Sequence, residues 1–295
     1  MIPPTAAVGF VGLGTMGSAL SAHLLAAGWQ VTGYDIDAAR LAAHTGRGGE
    51  AATSPAGTVA GDVVVTSLPT AQALLDVTAG AAGLASLPGQ GLVVIETSTL
   101  PLAVKDQARG ALAAGGAVLL DCPLSGTGGQ ALAKNVVAYL SGPAQAKALA
   151  LPVLREMTRA VHDVGDFGNG SAVKFIANLL VAIHNVAAAE ALVLAERAGL
   201  DLAAVLTAVA DGAGSSDMFE VRGPAMAAAD YTGPGVTTTV FAKDLEIITG
   251  FAKDTGTPTP LFALASSFYA AALAQGHAGD DTACVHAVLR GLAGR

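Results

Sequence analysis

The chain has 295 residues, of which 52% are hydrophobic and only 13% are charged. This composition excludes an intrinsically disordered chain, and the length suits two domains. The net charge of −8, with no basic block, argues against a nucleic-acid-binding protein. Cys122 and Cys284 lack metal-site or Cys-x-x-Cys spacing. No apolar run is predicted to reach transmembrane length, and residues 1–7 lack the positive charge of a signal peptide. We therefore expect a soluble cytoplasmic protein with no membrane partner.

The N-terminal segment has the pattern of a dinucleotide-binding site. A predicted strand over Ala6–Val11 is followed by Gly12-Leu13-Gly14-Thr15-Met16-Gly17, a helix over Ser18–Ala27, a strand over Val31–Tyr34, and Asp35. The glycines permit a tight turn, close approach of a pyrophosphate to the backbone, and close helix packing. Asp35 can accept hydrogen bonds from both adenosine ribose hydroxyls and would repel a 2′-phosphate, which favours NAD over NADP. The alternative is a tight βα turn in some other α/β protein.

Buried strands and helical segments alternate along the next part of the chain. The strands are predicted over Val63–Leu68, Leu92–Glu96, Ala117–Asp121, Asn135–Leu140 and Ala160–Val164. This alternation predicts a parallel α/β sheet, in which ligands bind beyond the carboxyl ends of the strands. The loops Leu68-Pro69, Ser98-Thr99 and Ser125-Gly126-Thr127 follow such strands and are candidate ligand contacts. Each loop taken alone also fits ordinary turn chemistry.

After Gly170 only helices are predicted. The first runs from Ser171 to about Ala198 without Gly or Pro, which is roughly 42 Å at 1.5 Å per residue, so we expect it to cross between two domains. The later helices are predicted over Asp201–Ala210, Met218–Ala228, Val240–Thr255, Leu261–Gln275 and Asp280–Leu292. The sequence thus predicts a dinucleotide-binding α/β domain over residues 1–165 and an all-helical domain over residues 166–295.

Most faces of the long helix are apolar, so the polar residues Lys174 and Asn178 are unusual, and Asn185 returns to their face about three turns further on. Lys174 and Asn178 lie four residues apart and therefore share one face. A buried lysine is costly, and burial lowers its pKa towards the range useful for proton transfer. Lys174 is therefore a candidate acid–base group. The alternative is a lysine at a helix end whose ammonium reaches solvent.

Four segments resemble the β-hydroxyacid dehydrogenase family, which includes 3-hydroxyisobutyrate dehydrogenase and tartronate semialdehyde reductase. The segments are Val8–Gly17 with its Gly-Leu-Gly-x-Met-Gly form, Asp121–Ala131, Gly165–Asn178 and Phe241–Leu245. They occur in the family's order over nearly the whole chain. The resemblance implies an N-terminal Rossmann domain and an all-α C-terminal domain joined by a long interdomain helix. It also implies a nicotinamide-dependent oxidoreductase, active as a homodimer or homotetramer on a small 3-hydroxy acid.

The resemblance also implies roles for individual residues. Lys174 would be the catalytic lysine and Asn178 would contact the substrate one turn further on. Ser125 and Gly126 would hold the substrate carboxylate. Leu68, Pro69 and Thr99 would flank the dinucleotide, and Lys243 would lie near its nicotinamide end. No metal is implied.

Two residues depart from the family pattern. Thr127 occupies a position where the family usually has Gly, so it would narrow the pocket or add a hydroxyl contact, and Ala73 lacks an amide that some relatives use near the cofactor. Two other functions stay open at this point. One is an NADPH-dependent imine reductase, which Lys174 and Asp35 disfavour. The other is a noncatalytic dinucleotide-binding protein on the same fold, which the presence of Lys174, Asn178 and Ser125 disfavours.

Overall fold

The computed structural model describes residues 6–87, 91–233 and 235–294. The chain divides into two compact units, Met1–Lys174 and Phe175–Arg295. The division falls inside the long helix, whereas the sequence placed it before that helix, at residue 165. The later position has a physical reason, because the first turn of the helix is hydrogen-bonded to the sheet of the first unit through Ser171 and Asp121.

The first unit is built on a parallel six-stranded sheet. Its strands are β1 (Ala7–Val11), β2 (Gln30–Tyr34), β3 (Glu50–Ala51), β4 (Val63–Thr66), β5 (Val93–Glu96) and β6 (Val118–Asp121). They lie in the order β3-β2-β1-β4-β5-β6, and all neighbouring pairs are parallel. The strand order reverses between β1 and β4, which is where open α/β sheets bind their ligands. The predicted Rossmann-type α/β fold is confirmed.

In the described residues of the first unit the strands are accompanied by the α-helices α1 (Thr15–Ala26), α2 (Ala38–Thr45), α3 (Ala71–Ala79), α4 (Leu102–Ala114), α5 (Gly128–Leu132) and α6 (Ala144–Met157). Successive strand residues contribute to two different cores. Val63 and Val65 belong to one hydrophobic cluster, while Val64 between them belongs to the other. Strands that are buried on both faces read as continuous apolar runs, which is why the sequence identified them.

A second, three-stranded sheet follows β6. It contains β7 (Leu124–Ser125), β8 (Val137–Leu140) and β9 (Ala160–Asp163), with β7 antiparallel to β8 and β8 parallel to β9. The sequence predicted β8 and β9 but not β7, whose two residues are too short for a periodicity signal. An isolated bridge between Asp121 and Ser141 connects the end of β6 to the residue that follows β8.

The described residues of the second unit form helices, as predicted, together with one isolated bridge between Thr237 and Asp281. Its helices are the continuation of α7 (Asn169–Arg197), which begins in the first unit, and α8 (Leu202–Ala210), α9 (Asp217–Ala228), α10 (Thr238–Asp254), α11 (Pro260–Ala274) and α12 (Val285–Leu292). The expected cap at Asp201 is present, since its side chain accepts hydrogen bonds from two backbone N–H groups. The last predicted helix is shorter than expected, because a 3₁₀ turn over Thr282–Cys284 precedes α12.

Helix α7 corrects one expectation drawn from the sequence. By length and composition it could cross a membrane, with a mean hydropathy of 1.7, so the prediction that no apolar run reaches that length was wrong. A core helix of a soluble protein passes the same test, and 44% of the most apolar window is buried within the structure. The side-chain amide of Asn185 on this helix donates hydrogen bonds to Tyr269 and Thr282, as in a packed helical core.

Candidate active site

The glycine turn between β1 and α1 is shaped for close approach to a ligand. Gly12 has a φ of +89°, and a Cβ there would collide with the carbonyl oxygen of Ser67. A Cβ at Gly17 would collide with the carbonyl oxygen of Gly12, so helix and turn could not pack this closely with any other residue. Gly14 is the N-cap of α1 and no side chain caps it. The start of α1 therefore presents backbone N–H groups to an anion, as a dinucleotide pyrophosphate requires.

The remaining residues of the motif connect the turn to its surroundings. Leu13 is buried, and its N–H donates to Oδ2 of Asp35 at 2.7 Å. Met16 packs against the hydrophobic core, and Thr15 Cγ2 lies 2.5 Å from where a Cβ on Gly128 would stand. The loop that carries Ser125, Gly126 and Thr127 therefore leads directly to the helix start that would hold the phosphates.

Asp35 follows β2 as predicted and is only 9% exposed. Its Oδ1 accepts the N–H of Asp37 at 2.8 Å, and Arg40 Nη1 lies 3.8 Å from its Oδ2. Each carboxylate oxygen thus accepts one backbone N–H and retains a second lone pair for a ribose hydroxyl. The carboxylate holds the glycine turn, which the sequence did not reveal, and its contact with a dinucleotide stays a prediction.

The loops after β4 and β5 are connected to each other. Leu68 and Pro69 follow β4, and Ser98 and Thr99 follow β5. The N–H of Leu68 donates to Oγ of Ser98 at 2.8 Å. The predicted dinucleotide contacts Leu68, Pro69 and Thr99 therefore lie on two linked loops at the carboxyl edge of the sheet.

The segment with the predicted substrate contacts ends in a capped helix. Ser125 is the last residue of β7, and Gly126 has a φ of +144° with Val136 packed where a Cβ would be. Thr127 is the N-cap of α5. Its hydroxyl accepts the N–H of Gln130 at 3.3 Å, and the Gln130 side chain accepts the N–H of Thr127 at 2.8 Å, so the two form a capping box. The hydroxyl proposed as a substrate contact thus has a backbone partner within the protein.

Lys174 is 7% exposed and lies just after the first turn of α7. Three residues earlier, Ser171 donates its N–H to Oδ2 and its hydroxyl to Oδ1 of Asp121, both at 2.7 Å. The N–H of Gly170 donates to Ser141 Oγ at 3.0 Å. The segment that leads into Lys174 is thereby fixed to the end of β6. An interior lysine on an anchored helix fits an acid–base group better than a lysine that extends into solvent.

The second unit contains the other two predicted contacts. Asn178 is 7% exposed, and its amide donates to Oδ2 of Asp244 at 2.8 Å. Lys243 is the neighbour of Asp244 on α10, and its Nζ lies 3.4 Å from Oδ1 of Asp244. Sequence reasoning assigned Asn178 and Lys243 but missed Asp244, which contacts both. The available signal was its place beside Lys243 in the segment Phe241–Leu245, which resembles the family.

A buried ion cluster in the first unit also escaped prediction. Lys105 is fully buried on α4, and its Nζ lies 2.6 Å from Oε2 of Glu96 and 2.8 Å from Oδ1 of Asp121. Burial lowers the pKa of Lys105, but the two carboxylates outweigh it and raise the pKa above its ordinary value. Burial raises the pKa of the neighbouring Cys122 thiol far above its ordinary value, so that thiol stays protonated. The sequence signal was the helical spacing of Lys105 with Ala108 and Leu112, which follow it by three and by seven residues. This spacing puts Lys105 on the buried face of α4.

Comparison with protein families assigns both units. The family described as the NAD-binding domain of 6-phosphogluconate dehydrogenase matches residues 7–165. The family described as the NAD-binding domain of NADP-dependent 3-hydroxyisobutyrate dehydrogenase matches residues 168–289. The chain is therefore an NAD(P)-binding oxidoreductase, in agreement with the glycine turn and the strand order of the first unit.

Curated relatives cover the chain almost completely. It is 36% identical over 287 residues to L-threonate dehydrogenase of Cupriavidus necator, covering 97% of this chain and 96% of the relative. It is 32% identical over 291 residues to the mitochondrial 3-hydroxyisobutyrate dehydrogenase of Homo sapiens, covering 96% and 86%. The chain belongs to the β-hydroxyacid dehydrogenase family, as the four sequence segments predicted.

Solved structures agree with this assignment. A 3-hydroxyisobutyrate dehydrogenase from Salmonella typhimurium has a TM-score of 0.85 at 32% identity, covering 96% of this chain and 99% of that one. A protein named Psf3, solved with NADP⁺, has the same TM-score at 26% identity, covering 96% and 99%. An imine reductase from Streptomyces aurantiacus has a TM-score of 0.64 at 21% identity, covering 96% and 99%, which shows a shared fold alone.

Proposed function

We propose that this enzyme is an NAD-dependent dehydrogenase of a small 3-hydroxy acid in which Lys174 is the general acid and base. The observation that carries the proposal is an almost fully buried lysine on a helix whose first turn is hydrogen-bonded to the end of β6. In sheets of this type, ligands bind at the carboxyl ends of the strands, and β6 ends at Asp121.

The proposed chemistry needs a proton-transferring group beside the substrate hydroxyl. When bound, the nicotinamide would supply the hydride chemistry, accepting a hydride from the carbinol carbon or returning one in the reverse direction. Lys174 Nζ takes the hydroxyl proton as the hydride leaves, so that the C–OH group becomes C=O, and it returns the proton in the reverse direction. Its ammonium form stabilises negative charge that develops on the same oxygen. A positioned acid–base group of this kind contributes ~10²–10⁴-fold to a rate.

The substrate class is supported by the segment after β7 and by the relatives. Ser125 and Gly126 precede Gly128, which lies against Thr15 at the start of α1, and a hydroxyl and a backbone N–H in this segment can hold a carboxylate. The relatives named above are dehydrogenases of L-threonate and 3-hydroxyisobutyrate. We propose an acid of this size, with L-threonate as the first compound to test because it belongs to the relative with 36% identity.

A panel of hydroxy acids with NAD, followed at 340 nm, tests the activity. L-threonate, 3-hydroxyisobutyrate, glycerate and L-serine are compared with cyclic imines plus NADPH in the reverse direction. Oxidation of at least one 3-hydroxy acid with no imine reduction is expected. Reduction of imines alone would support the imine reductase, and dinucleotide binding without any turnover would support a noncatalytic protein.

The cofactor preference depends on Asp35. Its buried carboxylate would accept the ribose hydroxyls of NAD and repel the 2′-phosphate of NADP. We expect a higher kcat/KM with NAD than with NADP. We expect Asp35→Ala to weaken the binding of NAD and to reduce the preference for NAD over NADP. Because Asp35 also holds the N–H of Leu13, Asp35→Asn serves as a milder second variant. Equal or better kinetics with NADP in the unmutated enzyme would contradict the preference.

A further inference from the structure

We infer that Glu96, Lys105 and Asp121 form a positioning cluster that fixes the Lys174 helix and the cofactor-side loops to one another. The inference rests on the proposed function, because it treats Lys174 as the acid–base group. The three residues belong to β5, α4 and β6, and all three are fully buried. They act through the groups that they hold and are therefore positioning residues.

The first branch of the cluster leads to α7. Oδ1 of Asp121 accepts hydrogen bonds from the Lys105 ammonium and the Ser171 hydroxyl. Oδ2 of Asp121 accepts the N–H of Ser171. Ser141 Oγ donates to the Asp121 carbonyl oxygen at 2.9 Å and accepts the N–H of Gly170. The N–H groups at a helix start have no partner within the helix. Here the N–H of Ser171 is satisfied by Asp121, and the N–H of Gly170 is satisfied by Ser141. Lys174 is one helical turn from Ser171, so a shift at Asp121 moves its backbone.

The second branch leads to the loops after β4 and β5. Lys105 Nζ also donates to the carbonyl oxygen of Ser98 at 2.7 Å, and the N–H of Ser98 donates to Oε1 of Glu96 at 2.8 Å. Ser98 Oγ in turn accepts the N–H of Leu68. Leu68 and Thr99, the neighbour of Ser98, are among the predicted dinucleotide contacts. One ammonium thereby connects the helix that carries the proton-transferring group to the loops that would hold the hydride-transferring group.

This connection has a mechanistic reason. Hydride and proton leave adjacent atoms of the substrate, so the two receiving groups must keep a fixed separation. A displacement of about 1 Å in such an arrangement can cost ~10²-fold in rate. Buried ion pairs are a poor way to gain stability alone, because desolvation offsets their attraction. A cluster with hydrogen bonds to both reacting sides has the directionality that positioning requires.

The test is Asp121→Asn, with Asp106→Asn as the matched control. Asp106 lies next to Lys105 on the same helix but is exposed, and it forms an ion pair with Arg109. For Asp121→Asn we expect kcat to fall at least about tenfold with an unchanged KM for NAD, and faster hydrogen exchange in a peptide over residues 169–175. For Asp106→Asn we expect neither change. Thermal unfolding of both variants is the check that the fold is retained.

Ser171→Ala is the second variant, in case Asp121→Asn does not fold. It removes only the hydroxyl bond to Asp121, and a smaller effect in the same direction is expected. The inference would be overturned if hydrogen exchange over residues 169–175 became faster in these variants while kcat stayed unchanged. It would also be overturned if kcat fell while hydrogen exchange stayed unchanged. A wild-type chain that oxidises no hydroxy acid would refute the proposed function. The exchange measurement needs no substrate, so it would still decide whether the cluster anchors α7.

Discussion

At the scale of single residues, Lys174 is the side chain on which the proposed chemistry depends. Lys174→Ala should lower kcat by ~10²-fold or more, about 2.7 kcal/mol at 1.36 kcal/mol per decade. The dissociation constant of NAD should change little, because the glycine turn and Asp35, which are predicted to bind it, lie outside the helix that carries Lys174. Lys174→Arg should not restore activity, since a guanidinium does not deprotonate at usable pH. Both quantities are measured on the same folded variant.

Lys253→Ala is the control for this experiment. The sequence Phe-Ala-Lys-Asp occurs twice on α10, at Phe241–Asp244 and at Phe251–Asp254. Lys253 lies in the second copy and is exposed, so its removal should change neither kcat nor NAD binding. Normal turnover by Lys174→Ala would show that the lysine is only a structural residue. A simultaneous loss of NAD binding would point to a folding defect and would not test proton transfer.

At the scale of elements, helix α5 separates two possible roles of Thr127. Thr127→Ala removes the cap and should destabilise the first unit by about 1 kcal/mol. It should also raise KM for the hydroxy acid, because Ser125 and Gly126 precede the helix directly. Thr127→Ser keeps the hydroxyl and loses only the methyl group. Chemical denaturation and the substrate panel are the measurements.

The serine variant decides between the two roles. If the Thr127 methyl group lines the pocket, Thr127→Ser and Thr127→Gly should both shift the preference towards larger hydroxy acids. If Thr127 is only a helix cap, the serine variant should behave as the wild type in both measurements. A serine variant as unstable as Thr127→Ala would show that the capping hydroxyl contributes little.

The same elements show which parts of the structure the sequence could predict. The segment from β1 through the glycine turn to β2 depends on local signals, and β2 was predicted within one residue of its observed start. By contrast, Lys105 and Asp121 lie sixteen residues apart and meet only because the sheet and α4 bring them together. The capping box of α5 was missed because Thr127 was interpreted as a pocket residue, although Gln130 follows three residues later. Tertiary partners, rather than local patterns, account for what was missed at the site.

At the scale of the whole molecule, we expect acid stability to depend on buried histidines. His286 is 1% exposed, with Nδ1 3.0 Å from the Tyr231 hydroxyl, and burial together with the Arg290 charge lowers its pKa from 6.5 to about 4. The pKa of His286 is lower in the folded state than in the unfolded state. The free energy of unfolding is therefore at its full value above pH 6.5 and decreases as the pH falls towards 4. The shift corresponds to roughly 3 kcal/mol in unfolding free energy. Burial lowers the pKa of His44 as well, so it acts in the same direction.

Urea unfolding at pH 7 and pH 5 measures this dependence. His286→Phe removes one titrating group, so the variant should lose less stability between the two pH values than the wild type. His162→Gln, at an exposed position on β9, should follow the wild type. An identical pH dependence in His286→Phe and the wild type would contradict the assignment to His286.

Assembly is the last property to consider at this scale. We propose a homodimer or homotetramer formed through the helical unit, because large apolar side chains there remain exposed. Among them are Leu194 at 71%, Val221 at 60%, Leu261 at 66% and Leu264 at 59%. Leu261 and Leu264 lie three residues apart on α11 and therefore share a face. Exposed apolar patches of this kind are typical of subunit interfaces.

Light scattering at micromolar concentration tests the assembly against a subunit mass of 28.9 kDa. The wild type should have two or four times this mass, and the double substitution Leu261→Glu with Leu264→Glu should reduce it, because it would bury two like charges in an apolar contact. Leu149→Glu is the control, since Leu149 is exposed on α6 of the first unit and should leave the mass unchanged. A monomeric wild type would contradict the proposal. An oligomer that survives the double substitution would exclude this face of α11 from the interface.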